Sequence, residues 1–130
     1  MYAEFALPYG DTQLKLRVPE ENLAFVLEPK DTPGLADEAA AVTAALRNPI
    51  GQKPLVDLVH PGDRVVIIVT DNTRACPDDR LLPPILAELQ RVVPPGNITI
   101  VIALGLHPAL DQEELGCLLG PDIVKRYRVV

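Results

Sequence analysis

Two short polar segments hold the residues that could do chemistry in this chain of 130 residues. The first is Asp71-Asn72-Thr73-Arg74, and the second contains His107. Arginine carries a planar guanidinium that binds a carboxylate through two parallel hydrogen bonds, and histidine changes charge near neutral pH. If both faced one small hydroxy acid, Arg74 would bind its carboxylate and His107 would exchange its hydroxyl proton. Asp71 would orient or polarise either group.

Both segments follow strands that the sequence predicts to be neighbours. Residues 64–70 (RVVIIVT) are a β-branched run without polar alternation, which predicts a central strand buried on both faces of a parallel sheet. A helix over about 82–93, with its two prolines in the first turn, precedes a second buried strand over 97–104 (NITIVIAL). Ligands of parallel sheets bind beyond the carboxyl ends of the strands, so this strand–helix–strand unit would bring both segments to one crevice.

The remaining patterns complete an α/β fold. A β-hairpin is predicted over 2–7 and 13–18, and a short third strand over 23–27. Helical segments are predicted over 36–47, 54–59, 111–119 and 122–127. Together they predict one Rossmann-like domain over 1–130, with a mostly parallel sheet, flanking helices and the hairpin in front. An apolar strand that begins at Arg128 predicts that the domain continues beyond the end of this chain.

Composition limits the class of partner. A net charge of −6 and a pI of about 4.8, without a basic stripe, argue against nucleic acid. No apolar run approaches the roughly 20 residues of a membrane helix, and no signal peptide is visible, so we expect a cytoplasmic protein away from membranes. Two cysteines, Cys76 and Cys117, are too few for a disulfide framework, and neither GxGxxG nor GxxxxGK[ST] indicates a nucleotide site.

A purely structural interpretation of the same residues stays open. Asp71 could cap the next turn, Arg74 could form a surface ion pair, and His107 could be solvated in a Gly/Pro loop. The same view makes Cys76 a structural thiol, since no histidine lies near it in sequence, and Asp78–Asp79 a helix N-cap. His60 lies at a turn before the first strand of the unit and is predicted to be structural or solvated. Spacing alone does not decide between the two interpretations.

The order of short motifs along the chain resembles the N-terminal domain of nickel-dependent lactate racemases. The resemblance covers essentially the whole chain, and its most specific parts are the Asp-x-Thr-Arg and Ala-Leu-Gly-x-His segments. The motifs are LPYG (7–10), LEPK (27–30), NPIG (48–51), DNTRACP (71–77), LPPIL (82–86), ALGLHP (103–108), DQEEL (111–115) and GPDIVKRYRVV (120–130).

This resemblance implies an isomerase that interconverts the enantiomers of a 2-hydroxy acid. A nickel pincer nucleotide, a nicotinic acid derivative, would accept a hydride from the chiral carbon while a histidine takes the hydroxyl proton. His107 matches one of two acid/base histidines, and Arg74 matches the carboxylate-binding arginine. Asp71 and Thr73 match neighbouring positions that contact substrate or cofactor.

The second histidine, the cofactor-tethering lysine and the nickel ligand would lie after residue 130, in the remainder of the same polypeptide. We therefore expect no metal site within this chain, no tightly bound cofactor and no turnover by the chain alone. Ala75 and Leu106-His107-Pro108 depart from the usual family residues, which leaves the hydroxy acid undecided. The alternative functions are a non-catalytic module that binds a small carboxylate and a module that docks another domain.

Overall fold

The computed structural model describes residues 1–130, which form two compact units, Met1–Gly34 and Leu35–Val130. The first unit is built on a hairpin of β1 (Tyr2–Tyr9) and β2 (Thr12–Pro19), paired antiparallel with Tyr9 opposite Thr12. One face of the hairpin is apolar, as period-two alternation requires, and includes Phe5, Leu7 and Leu16. The predicted hairpin is confirmed.

The predicted third strand over residues 23–27 is wrong. Leu23–Leu27 pairs with no strand, and Phe25 and Leu27 are exposed. A short apolar run forms a strand only where its backbone pairs with that of a neighbouring strand, and Leu23–Leu27 does not pair with either edge of the hairpin.

The second unit contains a three-stranded parallel sheet in the order β3, β4, β5. Its strands are β3 (Val65–Val69), β4 (Ile98–Ile102) and β5 (Arg128–Val129). The helices are α1 (Glu38–Arg47), α2 (Asp78–Leu89), α3 (Gln112–Leu119) and α4 (Pro121–Arg126), with a 3₁₀ turn at Leu55–Asp57. This is the predicted mixed α/β fold, and β3–α2–β4 is its strand–helix–strand unit.

One face of the sheet carries the core. Ile98, Ile100 and Ile102 alternate inward along β4 and pack with Leu82 and Leu86 of α2. The opposite face is open on β3, where Val66 and Ile68 are 58% and 70% exposed. The prediction of β3 as a central strand buried on both faces is therefore wrong within this chain: β4 is central and β3 is an edge.

Helix α2 begins earlier than predicted. It starts at Asp78, so Pro83 and Pro84 lie inside the helix instead of in its first turn. Each proline removes one backbone hydrogen bond, but Leu82, Leu86 and Leu89 form one face of the helix that is almost fully buried, and this packing holds the helix together. None of the four helices is long and apolar enough to cross a membrane.

An ion network joins α1 to α2 through a carboxylate that is almost fully buried. Glu88, 5% exposed, accepts hydrogen bonds from Arg47 Nε at 3.2 Å and Arg47 Nη2 at 2.7 Å, and from Arg91 Nη1 at 2.8 Å. The hydrogen bond from Arg47, followed by that from Arg91, lowers the pKa of the Glu88 carboxyl.

Replacing Glu88 by Gln should lower the melting temperature at neutral pH. The pKa of Glu88 is lower in the folded chain than in the unfolded chain. The ionised carboxylate therefore stabilises the fold at pH values above the unfolded-state pKa, and this stabilisation is lost as the pH falls through the folded-state pKa. The difference between wild type and variant should thus shrink below about pH 4. Glu38→Gln is the control, since Glu38 pairs with Arg80 at the surface, where ion pairs contribute little. Equal melting temperatures for wild type and Glu88→Gln at pH 7 would contradict the assignment.

Candidate active site

The site lies at the carboxyl ends of β3 and β4. The two strands are hydrogen-bonded in parallel with Val69 beside Ile102, so both end at the same edge of the sheet. The backbone N–H of Ala103 donates to the carbonyl of Val69 at 2.8 Å and fixes the point where the loops leave. Polar segments that follow the two strands must therefore meet.

A pocket of about 350 Å³ forms between these loops. Asp71 and Arg74 line it from the loop after β3, and His107 lines it from the loop after β4. Thr73 lies in the same turn but is not on the pocket wall. The structure thus brings together three of the four predicted site residues around one hollow. The other lining residues are Thr70, Ala103, Leu104, Gly105 and Leu106.

The loop after β3 is organised by Asp71. Its carbonyl accepts from the backbone N–H of Arg74 at 3.1 Å, which closes a turn. Its Oδ1 accepts from the hydroxyl of Thr73 at 2.7 Å and from the backbone N–H of Thr73 at 3.3 Å. Asp-x-Thr is a sequence in which the Asp side chain commonly bonds the backbone two residues on. The turn holds Asp71 in place and leaves it only 3% exposed.

The loop after β4 presents His107 to Asp71. The backbone N–H of His107 donates to the carbonyl of Leu104 at 3.0 Å, in a turn where Gly105 has φ +60°. A left-handed residue at this point favours glycine, because a β-carbon would be strained there. Nδ1 of His107 then hydrogen-bonds Oδ2 of Asp71, which ties the two loops together.

Charge in the pocket is unevenly distributed. The hydrogen bond from His107, and next that from Thr73, lowers the pKa of the Asp71 carboxyl, so it is ionised at neutral pH. Arg74 is exposed, and none of the chain's ion pairs includes it. The pocket therefore holds the carboxylate of Asp71, which is hydrogen-bonded to His107 and Thr73, and the guanidinium of Arg74, which has no ion-pair partner.

The structural interpretation fits only part of this arrangement. Asp71 does cap its own turn, as that interpretation held. Arg74, however, forms no surface ion pair, and His107 is bonded to Asp71 instead of being free in solvent. Both histidines reach the surface, but the side chain of His60 is 82% exposed and pairs loosely with Asp63 at 3.4 Å, whereas that of His107 is 47% exposed.

Cys76 and Asp78 lie next to the site without entering the pocket. Sγ of Cys76 donates to Oδ1 of Asp78 at 3.4 Å, and this bond, with burial, raises the pKa of the Cys76 thiol. A raised pKa disfavours the thiolate, which a nucleophile needs. The predicted N-cap at Asp78–Asp79 is wrong: the cap position is Pro77, and Asp78 is buried in the first turn of α2. Burial raises the pKa of the Asp78 carboxyl.

Chemically, the pocket can bind a small anion and exchange one proton with it. The guanidinium supplies two parallel donors for a carboxylate, and the imidazole supplies the proton-transfer group. No group of three or more His, Cys, Asp or Glu side chains in the chain is placed to hold a metal ion.

Comparison with known proteins places these features in a family. Residues 9–130 match the model of the lactate racemase N-terminal domain. The chain is 33% identical over 130 residues to the lactate racemase of Thermoanaerobacterium thermosaccharolyticum, with 98% of the chain and 30% of that relative covered. It is 32% identical over 126 residues to the lactate racemase of Lactiplantibacillus plantarum, with 95% and 30% covered.

A solved structure shows the same fold. The lactate racemase apoprotein from Thermoanaerobacterium thermosaccharolyticum superposes with a TM-score of 0.83 at 34% identity, covering 98% of this chain and 30% of that one. The chain thus spans about 30% of the length of the relatives it matches.

Proposed function

Because the chain belongs to the lactate racemase N-terminal domain family, we propose that it is the substrate-handling part of a racemase or epimerase of a 2-hydroxy acid. The observation that carries the proposal is the shared pocket, in which an unpaired Arg74 and the imidazole of His107 line one hollow. Lactate, with a carboxylate and a hydroxyl on adjacent carbons, presents the two groups that these side chains recognise.

In the proposed mechanism Arg74 binds the carboxylate and thereby holds the adjacent hydroxyl toward the second loop. His107 takes the hydroxyl proton as the C–H bond of the chiral carbon breaks, and a planar keto acid results. Return of hydrogen to the other face of that acid gives the opposite enantiomer. Since His107 serves one face, a second acid/base group must serve the other, and we assign it to polypeptide outside residues 1–130.

The hydride needs an acceptor. We assign the nickel pincer nucleotide that the resemblance implies to the remainder of the polypeptide, where the resemblance also puts its nickel ligand and its tethering lysine, and where it would accept and return the hydride. Arg74 and His107 act only on the carboxylate and the hydroxyl proton. We expect no turnover by residues 1–130 alone.

The departures from the usual family residues bear on the choice of hydroxy acid. Leu106 is fully exposed at the pocket, and Pro108 follows the histidine at a position where the resemblance to the family implies an arginine in many members. A second guanidinium beside His107 is thus absent, and an apolar side chain is available to contact a substrate substituent. We therefore propose a 2-hydroxy acid as the substrate class, without restricting it to lactate.

Titration of the chain with lactate tests the proposal without the cofactor. Both enantiomers, and glycolate, should shift the NMR signals of the Arg74 guanidinium and the His107 ring. Propionate, which has the carboxylate but no hydroxyl, should shift Arg74 and leave the ring of His107 largely unchanged. A module that only docks another domain would show no response at either loop, and that result would overturn the proposal.

A further inference from the structure

The carboxylate of Asp71 is fully engaged inside the protein. Its Oδ1 accepts two hydrogen bonds from Thr73, at 2.7 Å and 3.3 Å, and its Oδ2 faces Nδ1 of His107. The side chain of Asp71 is 4% exposed, whereas that of His107 is 47% exposed. Asp71 therefore has little surface to offer a ligand, and as an anion it would repel the substrate's carboxylate.

We propose that Asp71 and Thr73 are positioning residues that act through His107: they hold its imidazole as the Nδ1–H tautomer and leave Nε2 as the atom that exchanges the proton. The expectation from the resemblance that Asp71 and Thr73 also contact substrate or cofactor stays a prediction. The assignment of Nε2 to proton exchange rests on the proposed function, but the tautomer itself does not.

The tautomer follows from the hydrogen-bonding capacity of each partner. An ionised carboxylate only accepts hydrogen bonds, so the ring nitrogen that faces Asp71 must be the donor. Neutral imidazole carries a single N–H, which leaves Nε2 with a free lone pair. The lowered pKa of Asp71 keeps the carboxylate ionised across the neutral range, so it remains an acceptor for the N–H at Nδ1 of His107.

Thr73 contributes by fixing the carboxylate. With Oδ1 held by the hydroxyl and backbone N–H of Thr73, the carboxylate cannot rotate away from the ring. When Nε2 receives a proton, both ring nitrogens become donors, and Asp71 stabilises the imidazolium without itself taking the proton. The buried carboxylate of Asp71 is thus already positioned to stabilise the positive charge that forms on His107 during proton transfer.

The chain contains its own reference for this arrangement. His60 also faces an aspartate, with Nδ1 at 3.4 Å from Oδ2 of Asp63, but the two side chains are 82% and 46% exposed. That carboxylate also accepts from the backbone N–H of His60 at 2.8 Å. The chain has two histidines in all, so one spectrum compares a histidine that faces a buried carboxylate with one that faces an exposed carboxylate.

Long-range ¹H–¹⁵N correlation spectra of the histidine-labelled chain measure both tautomers directly. At about pH 9, above the ordinary imidazole value near 6.5, His107 should be predominantly the Nδ1–H tautomer. His60 should show the mixture typical of a solvated ring. In Asp71→Asn the amide can donate to Nδ1, so His107 should shift toward the Nε2–H tautomer.

Thr73→Val is the milder variant. It keeps the backbone hydrogen bond to Asp71 and removes the one from the hydroxyl, so a partial shift of His107 is expected. Asp63→Asn is the matched control and should leave His107 unchanged. Backbone amide spectra identify which variants keep the wild-type fold, and Thr73→Val preserves the test if Asp71→Asn does not fold.

Two results would overturn the inference. One is a His107 ring that shows the same tautomer mixture as His60 in the wild type. The other is a His107 ring that does not respond in whichever of the two variants folds. Because the spectra are recorded without substrate, a positive tautomer result combined with no response to lactate would count against the proposed function alone.

Discussion

Replacing His107 by Gln should slow racemisation by about 100- to 10,000-fold in the longer polypeptide supplied with its cofactor, the usual contribution of a positioned acid/base group. Glutamine keeps a polar side chain of similar reach but cannot exchange a proton near neutral pH. The hydroxyl proton would then have to leave to water, because His107 is the exposed acid/base side chain of the pocket and the carboxylate of Asp71 is buried.

Chiral chromatography of the product in both directions measures the effect. The variant should lose rate from either enantiomer, because one group acts as base in one direction and as acid in the other. His60→Gln is the control, since it removes an exposed histidine away from the pocket and should keep the wild-type rate. An unchanged rate in His107→Gln would remove the histidine from the mechanism.

The proximity of Asp71, Arg74 and His107 was predictable because two independent regularities agree. Apolar β-branched runs identified β3 and β4, and the parallel arrangement required by the intervening helix placed their carboxyl ends together. Asp71, Arg74 and His107 therefore had to be near one another whatever their rotamers. The sequence did not predict the direction of each side chain. In the structure Asp71 turns inward to His107, and Arg74 stays unpaired.

The errors in the predicted fold have a common origin. Residue patterns show that Val66 and Ile68 are suited to burial, but burial requires an element packed against that face of the sheet, and within this chain nothing covers them. The start of α2 differs from the predicted one because two prolines disfavour a helix interior locally, whereas tertiary packing keeps them inside the helix. In both cases contacts distant in sequence decided what local preference could not.

Arg74→Ala should lower kcat/KM for a hydroxy acid by about 10- to 150-fold, corresponding to about 1.5–3 kcal/mol for hydrogen bonds to a charged group. The guanidinium has no internal partner, so its removal leaves no buried charge behind, and stability should change little. The loss should appear chiefly in KM, because the carboxylate is bound in the ground state as well as in the transition state. Arg80→Ala is the matched control, since Arg80 already pairs with Glu38 at 2.8 Å.

Two further measurements on Arg74 separate charge from geometry. Arg74→Lys keeps the charge but offers a point donor in place of a planar fork, so it should recover only part of the lost affinity. Guanidinium ion added to Arg74→Ala should restore part of the activity, because it can occupy the vacated space beside the carboxylate, whereas added ammonium should restore less. Full activity in Arg74→Ala, or equal rescue by the two ions, would show that the carboxylate is bound elsewhere and that the pocket between the two loops holds the substrate differently.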